Sequence, residues 1–194
     1  MNRTKDISTL NTLNPVGLLQ KYYPTHTFVY SILLQHCTAV AVKAGTIARA
    51  LASAEAIDCE FVEQAAMLHD IGICFVHAPG IGCYGEHPYI MHGICGAKLL
   101  RSEGLPRHAC ICENHIGVGL EVEDIEDQHL PLPRREMVPV GIEAKIVAYA
   151  DLFYSKNPNT LRQEKTPAQV RKSLEKFGAK KLEIFDNWHA RFAL

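Results

Sequence analysis

Six side chains able to bind a divalent cation punctuate the chain: His36, the adjacent pair His69-Asp70, His92, His115 and Asp151. Each falls on or at the end of a segment whose apolar spacing predicts a helix. One histidine or aspartate on such a face is ordinarily a hydrogen-bonded core residue. Six together point elsewhere. An unpaired buried aspartate is costly or takes up a proton, whereas a divalent cation reached by all six favours ionised carboxylates and neutral imidazoles. The chemistry these residue types suggest is metal binding, and facing helices of a bundle are a natural place to converge them.

The elements that must position them can be read from caps and periodicity. Asn14-Pro15 opens a short helix through Leu18, Leu19 and Tyr22 that Pro24 stops. From Phe28 to Leu51 the residues Leu33, Leu34, Cys37, Val40, Ala41, Ala44, Ile47 and Leu51 recur at spacings of three and four, with His36 on or beside the same face. Asp58 caps a helix from Cys59 to about His69, and Gly72 supplies its stop. Pro88 opens a helix through Ile90, Ile94, Ala97 and Leu100, and Pro106 a shorter one ending near His115. The segment Gly117 to Val138, acidic at Glu121, Glu123, Asp124, Glu126 and Asp127, reads as an irregular, solvated surface excursion. Helical spacing resumes from Pro139 to Tyr154, and Thr166-Pro167 starts another helix that Gly178 closes before a terminal one bearing Leu182, Phe185 and Trp188. No alternating strands recur, so the expected architecture is an all-α bundle in a single domain over 1–194, core about 28–155, with helices in 166–194 packed on it.

Composition narrows the partners. The 194 residues are 47% hydrophobic and 21% charged, and 20 Lys plus Arg against 21 Asp plus Glu leave a formal charge of −1. No global positive field exists to hold a nucleic-acid backbone or an anionic membrane. The basic excess of residues 156–194 reads as a solvated helical face. Met1 to Gly17 contains no apolar core of signal-peptide length, Asn2-Arg3-Thr4 is a glycosylation triplet only formally, and Lys43 and Arg49 interrupt the most apolar region. The expectation is a cytoplasmic chain without a membrane segment, whose seven cysteines, lacking any C-x-x-C pair, are reduced packing residues. Gly80, Gly82 and Gly85 match a dinucleotide-binding fingerprint, but no β-α alternation surrounds them.

The ordered set resembles the HD superfamily of metal-dependent phosphohydrolases, especially members bearing a His-Asp-Ile-Gly motif. Here that motif is His69-Asp70-Ile71-Gly72, preceded by Ala65-Ala66-Met67-Leu68. His36 matches the upstream family histidine, Asp151 the distant aspartate, and His92 and His115 the two histidines that dinuclear members add. The resemblance spans about Tyr30 to Tyr154. It implies an HD-domain helical bundle in which His36, His69 and Asp151 hold one metal, His92 and His115 a second, and Asp70 bridges them. Two cations about 3.5 to 4 Å apart would share a hydroxide and neutralise charge developing on a phosphoryl group. Hydrolysis of a phosphate ester or anhydride through a metal-bound hydroxide follows, on a nucleotide or small phosphorylated metabolite. Mixed imidazole and carboxylate ligands suit a divalent transition metal, Fe or Mn first, then Ni, Co or Zn.

The loop from His77 to His87 lies between two ligand-bearing helices, which places a proton donor to the leaving group at His87, with His77 the alternative and Lys145 as a phosphate contact. Ile73 stands where cyclic-dinucleotide members carry lysine, and no Gly-Tyr-Pro follows His115, which argues against cyclic-dinucleotide hydrolysis. Two other functions fit the ligand order: a di-iron oxygenase on the same fold, and a non-catalytic module that senses a nucleotide.

Overall fold

The computed structural model describes residues 13–194; most of the amino-terminal stretch, with its glycosylation triplet, lies outside the described residues. Nine α-helices dominate the described residues: α1 (Pro15–Tyr22), α2 (Phe28–Leu51), α3 (Cys59–Leu68), α4 (His92–Ser102), α5 (Pro106–Asn114), α6 (Val122–Asp127), α7 (Ile142–Asp151), α8 (Pro167–Leu174) and α9 (Ala179–Phe192). Their starts follow from side chains that satisfy the first free N–H groups. Asn14 Oδ1 accepts from Gly17 N at 2.9 Å, Asp58 Oδ1 from Phe61 N at 3.0 Å, and Thr166 Oγ1 from Gln169 N at 3.2 Å.

Two apolar cores fill the bundle. One joins the second half of α2 to α3, α7, α8 and α9 through Val40, Ala44, Val62, Ile146 and Phe185. The other joins α1 and the first half of α2 to α4 and α5 through Leu19, Leu33, Ile71, Leu100 and Cys112. Met67 packs against both, two residues before His69, so the His-Asp motif lies at their seam. Helix α2 is long and apolar enough to cross a bilayer by length and composition alone, despite Lys43 and Arg49; half of that window is buried in the bundle.

Four sequence expectations need correction. Gly72 does not stop a helix: the chain continues from Ile71 to Phe75 as a 3-10 helix, and Gly72 instead permits a close crossing of α4. A Cβ there would fall 2.1 Å from the His92 carbonyl oxygen and 2.3 Å from Gly96 N. Pro88 opens a 3-10 turn, Tyr89–Met91, ahead of α4. A small hairpin is present, β1 (His77–Ala78) antiparallel to β2 (Cys83–Tyr84), because Gly82 takes the left-handed conformation (φ 78°) that reverses the chain. Of the fingerprint-like glycines, Gly80 and Gly82 lie in its turn and Gly85 just past β2.

The Gly117–Val138 excursion is exposed over much of its length, at Glu123, Glu126 and Asp127 among others, but it is neither wholly irregular nor unanchored. It contains α6, where Glu121 N donates to Asp124 Oδ2 at 2.7 Å, and Ile125, Leu132 and Met137 form a third apolar cluster against Ile90, Met91 and Ile94. Lys181 of α9, buried, reaches Asp124 Oδ2 at 2.5 Å and the Gly119 carbonyl at 2.9 Å. The acidic run and part of the basic tail are therefore partners.

Candidate metal centre

Five of the six proposed ligands stand at helix ends. His36 lies within α2; His69 and Asp70 follow α3; His92 begins α4; His115 caps α5; Asp151 ends α7. The carboxy-terminal ends of α3, α5 and α7 present the negative pole of the helix dipole, which favours a cation between them. Backbone crossings set the spacing on the α4–α5 side. A Cβ on Gly93 would lie 2.8 Å from the Cys112 carbonyl oxygen, and one on Gly96 2.5 Å from Cys112 Sγ, so glycine at both positions lets α4 press onto α5.

The six residues converge into two groups that share one carboxylate. Ligand atoms of His36, His69, Asp70 and Asp151 lie within 4.8 Å of one another, as do those of Asp70, His92 and His115. Asp70, fully buried, splits its oxygens between them. Oδ2 stands 3.1 Å from both His36 Nε2 and His69 Nε2; Oδ1 stands 3.3 Å from His92 Nε2 and 3.6 Å from His115 Nε2. Asp151 Oδ1 completes the first group, 3.0 Å from His36 Nε2 and 3.4 Å from His69 Nε2.

The tautomers show what the site is built to hold. His69, His92 and His115 each place Nδ1 2.6 to 2.7 Å from the carbonyl oxygen three residues earlier, that of Ala66, Tyr89 and Cys112. A carbonyl only accepts, so Nδ1 carries the hydrogen, and in the neutral ring Nε2 presents its lone pair inward. Nitrogens so prepared nevertheless face each other across 3.2 Å, His92 to His115, and 3.3 Å, His36 to His69. Neither Asp70 oxygen accepts a hydrogen bond of ordinary geometry, nor does Asp151 Oδ1. Buried lone pairs converging on one another are the arrangement a divalent cation satisfies, and the ligand set of imidazole nitrogen and carboxylate oxygen fits a transition metal.

The cluster's own groups balance its charge. Burial penalises the ionised Asp70 and Asp151, but the Lys156 ammonium and neighbouring imidazoles outweigh it and hold both carboxyls well below the usual range. Burial likewise opposes charging of His69, yet Asp70 raises its imidazole well above the ordinary value. His92 is pushed down to about 3 by burial, which keeps it a neutral donor.

Lys156 escaped the sequence reading. Its Nζ stands 2.6 Å from Asp70 Oδ2, and its side chain is only 13% exposed. The sequence signal for it is its place five residues after Asp151, just past the end of α7. Lys145, by contrast, is half-buried on α7 and joins no ion pair among the described residues. His77 and His87 are exposed; His87 is held by its backbone, donating to the Phe75 carbonyl at 3.1 Å and accepting from His77 N at 2.7 Å. Beside the centre opens a cleft of about 590 Å3 lined by Gly80, Ile81, Tyr89, Lys156, Asn157 and Pro158. Tyr89 reaches the centre too, its ring 4.8 Å from that of His92.

Residues 33–155 match the model of the HD domain family, a span that begins just before His36 and ends just after Asp151. The chain belongs to the HD domain family. Among curated relatives, the HD domain here is 36% identical over 121 residues to an uncharacterized protein of Methanocaldococcus jannaschii, covering 61% of this chain and 64% of that protein. It is 35% identical over 130 residues to a tRNA (cytidine(56)-2'-O)-methyltransferase of Thermoplasma volcanium, covering 66% of this chain and 35% of the enzyme. The chain thus spans less than two thirds of the length of these relatives. The fold is similar to the crystal structure of the HD domain of the L. monocytogenes phosphodiesterase PgpH, with a TM-score of 0.51 at 13% identity over 90% of this chain and 94% of that one. At that identity the likeness concerns the all-α HD architecture.

Proposed function

We propose that the chain is a metal-dependent phosphohydrolase acting on a phosphate ester or anhydride, with a nucleotide or small phosphorylated metabolite as substrate. The observation that carries the reading is the division of Asp70 between the two ligand groups, Oδ2 toward His36 and His69 and Oδ1 toward His92 and His115. In this reading His36, His69, Asp151 and Asp70 hold one divalent ion, iron or manganese, and His92, His115 and Asp70 a second. When bound, the ions supply Lewis acidity, activating water and neutralising charge on the phosphoryl group.

The protein's own groups do the rest. The three Nδ1–H bonds to carbonyls fix ring orientation, so the ligand geometry exists before the substrate arrives. The cleft beside Tyr89 and Lys156, at about 590 Å3, falls within the range of small-molecule sites and is suited to a mononucleotide rather than a polymer. The near-neutral charge of the chain agrees with that choice. His87, on the exposed segment before Tyr89, is proposed to protonate the leaving group.

The test is hydrolysis of bis-p-nitrophenyl phosphate and a nucleotide panel by protein loaded with Mn2+ or Fe2+, with and without oxygen. Oxygen-independent release of phosphate or nitrophenol, abolished by chelation, is expected. Turnover that requires oxygen and iron would favour an oxygenase, and tight nucleotide binding without turnover across the metals a sensing module; either result sinks the proposal.

A further inference from the structure

Lys156 presents a conflict that the ligand set alone does not resolve. Its ammonium lies 2.6 Å from Asp70 Oδ2, the same oxygen that His36 and His69 approach to 3.1 Å. Among the described residues it is the one lysine or arginine within ion-pair distance of the cluster's carboxylates. The Lys156 ammonium offsets the charge of the Asp70 carboxylate it touches. A divalent cation on His36, His69 and Asp151 would share Oδ2 with the ammonium, and two positive charges on one oxygen repel. The lysine must then leave Asp70.

Where it can go is limited. The side chain is largely buried, and the space open to it is the cleft it already lines with Tyr89, Asn157 and Pro158. The Tyr89 ring centroid lies 6.0 Å from Nζ and forms a wall beside that path. An ammonium displaced into a cleft next to the metal ligands, on a flexible four-carbon stem, is placed to meet an anion bound there.

We propose that Lys156 is an exchange residue: it neutralises Asp70 while the ligand set is free of metal, and it binds the phosphoryl oxygens of the substrate once metal has taken its place on Asp70. The choice of a phosphoryl group as ligand rests on the phosphohydrolase reading above. Two consequences distinguish exchange from a static structural pair. Removing the ammonium removes a competitor for Asp70, so metal binds more tightly; and it removes a donor to phosphate, so phosphate binds more weakly.

The experiment uses the full chain, stripped with chelator, as wild type, Lys156→Met and Lys156→Arg. Calorimetric titration with Mn2+ should show affinity rising in Lys156→Met, and titration of the Mn2+-loaded proteins with inorganic phosphate should show affinity falling, each by roughly tenfold, the size expected for one charge-assisted hydrogen bond. Lys156→Arg should retain phosphate affinity within a few-fold. Unchanged or weaker Mn2+ binding in Lys156→Met, or unchanged phosphate affinity, overturns the proposal. Should Lys156→Met fail to fold, amine labelling of the wild type read by mass spectrometry serves instead. Lys156 should react faster after Mn2+ is added and be protected again by phosphate; reactivity indifferent to both overturns the exchange. Phosphate binding through Lys156 without hydrolysis of any phosphate ester would end the phosphohydrolase reading and leave the exchange standing. Hydrolysis with phosphate affinity untouched in Lys156→Met would do the reverse.

Discussion

The two halves of the ligand cluster are held by different means. His36, His69 and Asp151 project from α2, α3 and α7, which pack through interlocking side chains such as Val40, Val62 and Ile146. His92 and His115 belong to α4 and α5, whose approach depends on the absence of side chains at Gly93 and Gly96, as the crossing of α4 by the Ile71–Phe75 turn depends on Gly72. The first half is positioned by packing and the second by backbone proximity. A core held by side chains can repack around a lost methyl group; a crossing held by glycine has no room for a gained one. The halves should therefore fail under different substitutions, and Asp70, common to both, should fail most completely.

Asp70→Ala is expected to have the largest effect. It removes the shared carboxylate, so both ions should be lost and hydrolysis should fall about a thousandfold or more, read by metal analysis and initial rates. Retention of a full metal complement would break the idea that Asp70 joins the halves. His92→Ala and Gly72→Ala come next. His92→Ala should empty the second group, leave the first, and lower turnover about a hundredfold or more. Gly72→Ala removes no ligand, yet its Cβ would meet the His92 carbonyl; it should weaken the same ion selectively and lower stability by about 1–3 kcal/mol. Loss of both ions alike in Gly72→Ala would erase the distinction between the halves.

A leaving-group acid belongs to neither half, which makes His87 a sharper and smaller probe. His87→Ala should slow hydrolysis of alkyl and nucleotide phosphates about a hundredfold, the low end for general acid catalysis, and barely affect nitrophenyl esters that need no protonation. A normal rate on alkyl phosphates removes His87 from the mechanism. The mildest test concerns the α5 side. Burial, aided by Arg107, pushes the His108 imidazole down to about 4 from an ordinary 6.5. The unfolded chain then binds a proton that the folded one refuses, so this residue's contribution to stability is full above pH 6.5 and is lost as pH falls toward about 4. Thermal melts of metal-free protein should show that slope, and His108→Gln should flatten it; an unchanged slope would contradict the assignment.

The same division governs what was legible in the sequence. Asn14, Asp58 and Thr166 named their helices because caps act locally, and α2 was bounded correctly because apolar periodicity records a buried face. The six residues that converge at the centre were visible through their types and order, since few other arrangements justify so many titratable groups on apolar segments. What stayed hidden depends on contacts across the fold. Gly72 looked like a terminator because a glycine's local role and its role in a close crossing share one letter. Lys181 and Lys156 looked like members of a solvated basic tail, since nothing near them in sequence discloses Asp124 or Asp70. The anchoring of the Gly117–Val138 excursion is hidden for the same reason: Glu121 and Asp124 are answered from α9, more than fifty residues away.

The central claim is that one buried carboxylate joins two metal positions, and it is tested most directly by counting ions. Metal-free protein titrated with Mn2+ and followed by calorimetry and elemental analysis should bind two ions per chain, falling to one in His92→Ala and in His36→Ala, and to none in Asp70→Ala. No stoichiometric binding by the wild type, or Asp70→Ala binding as the wild type does, would contradict it.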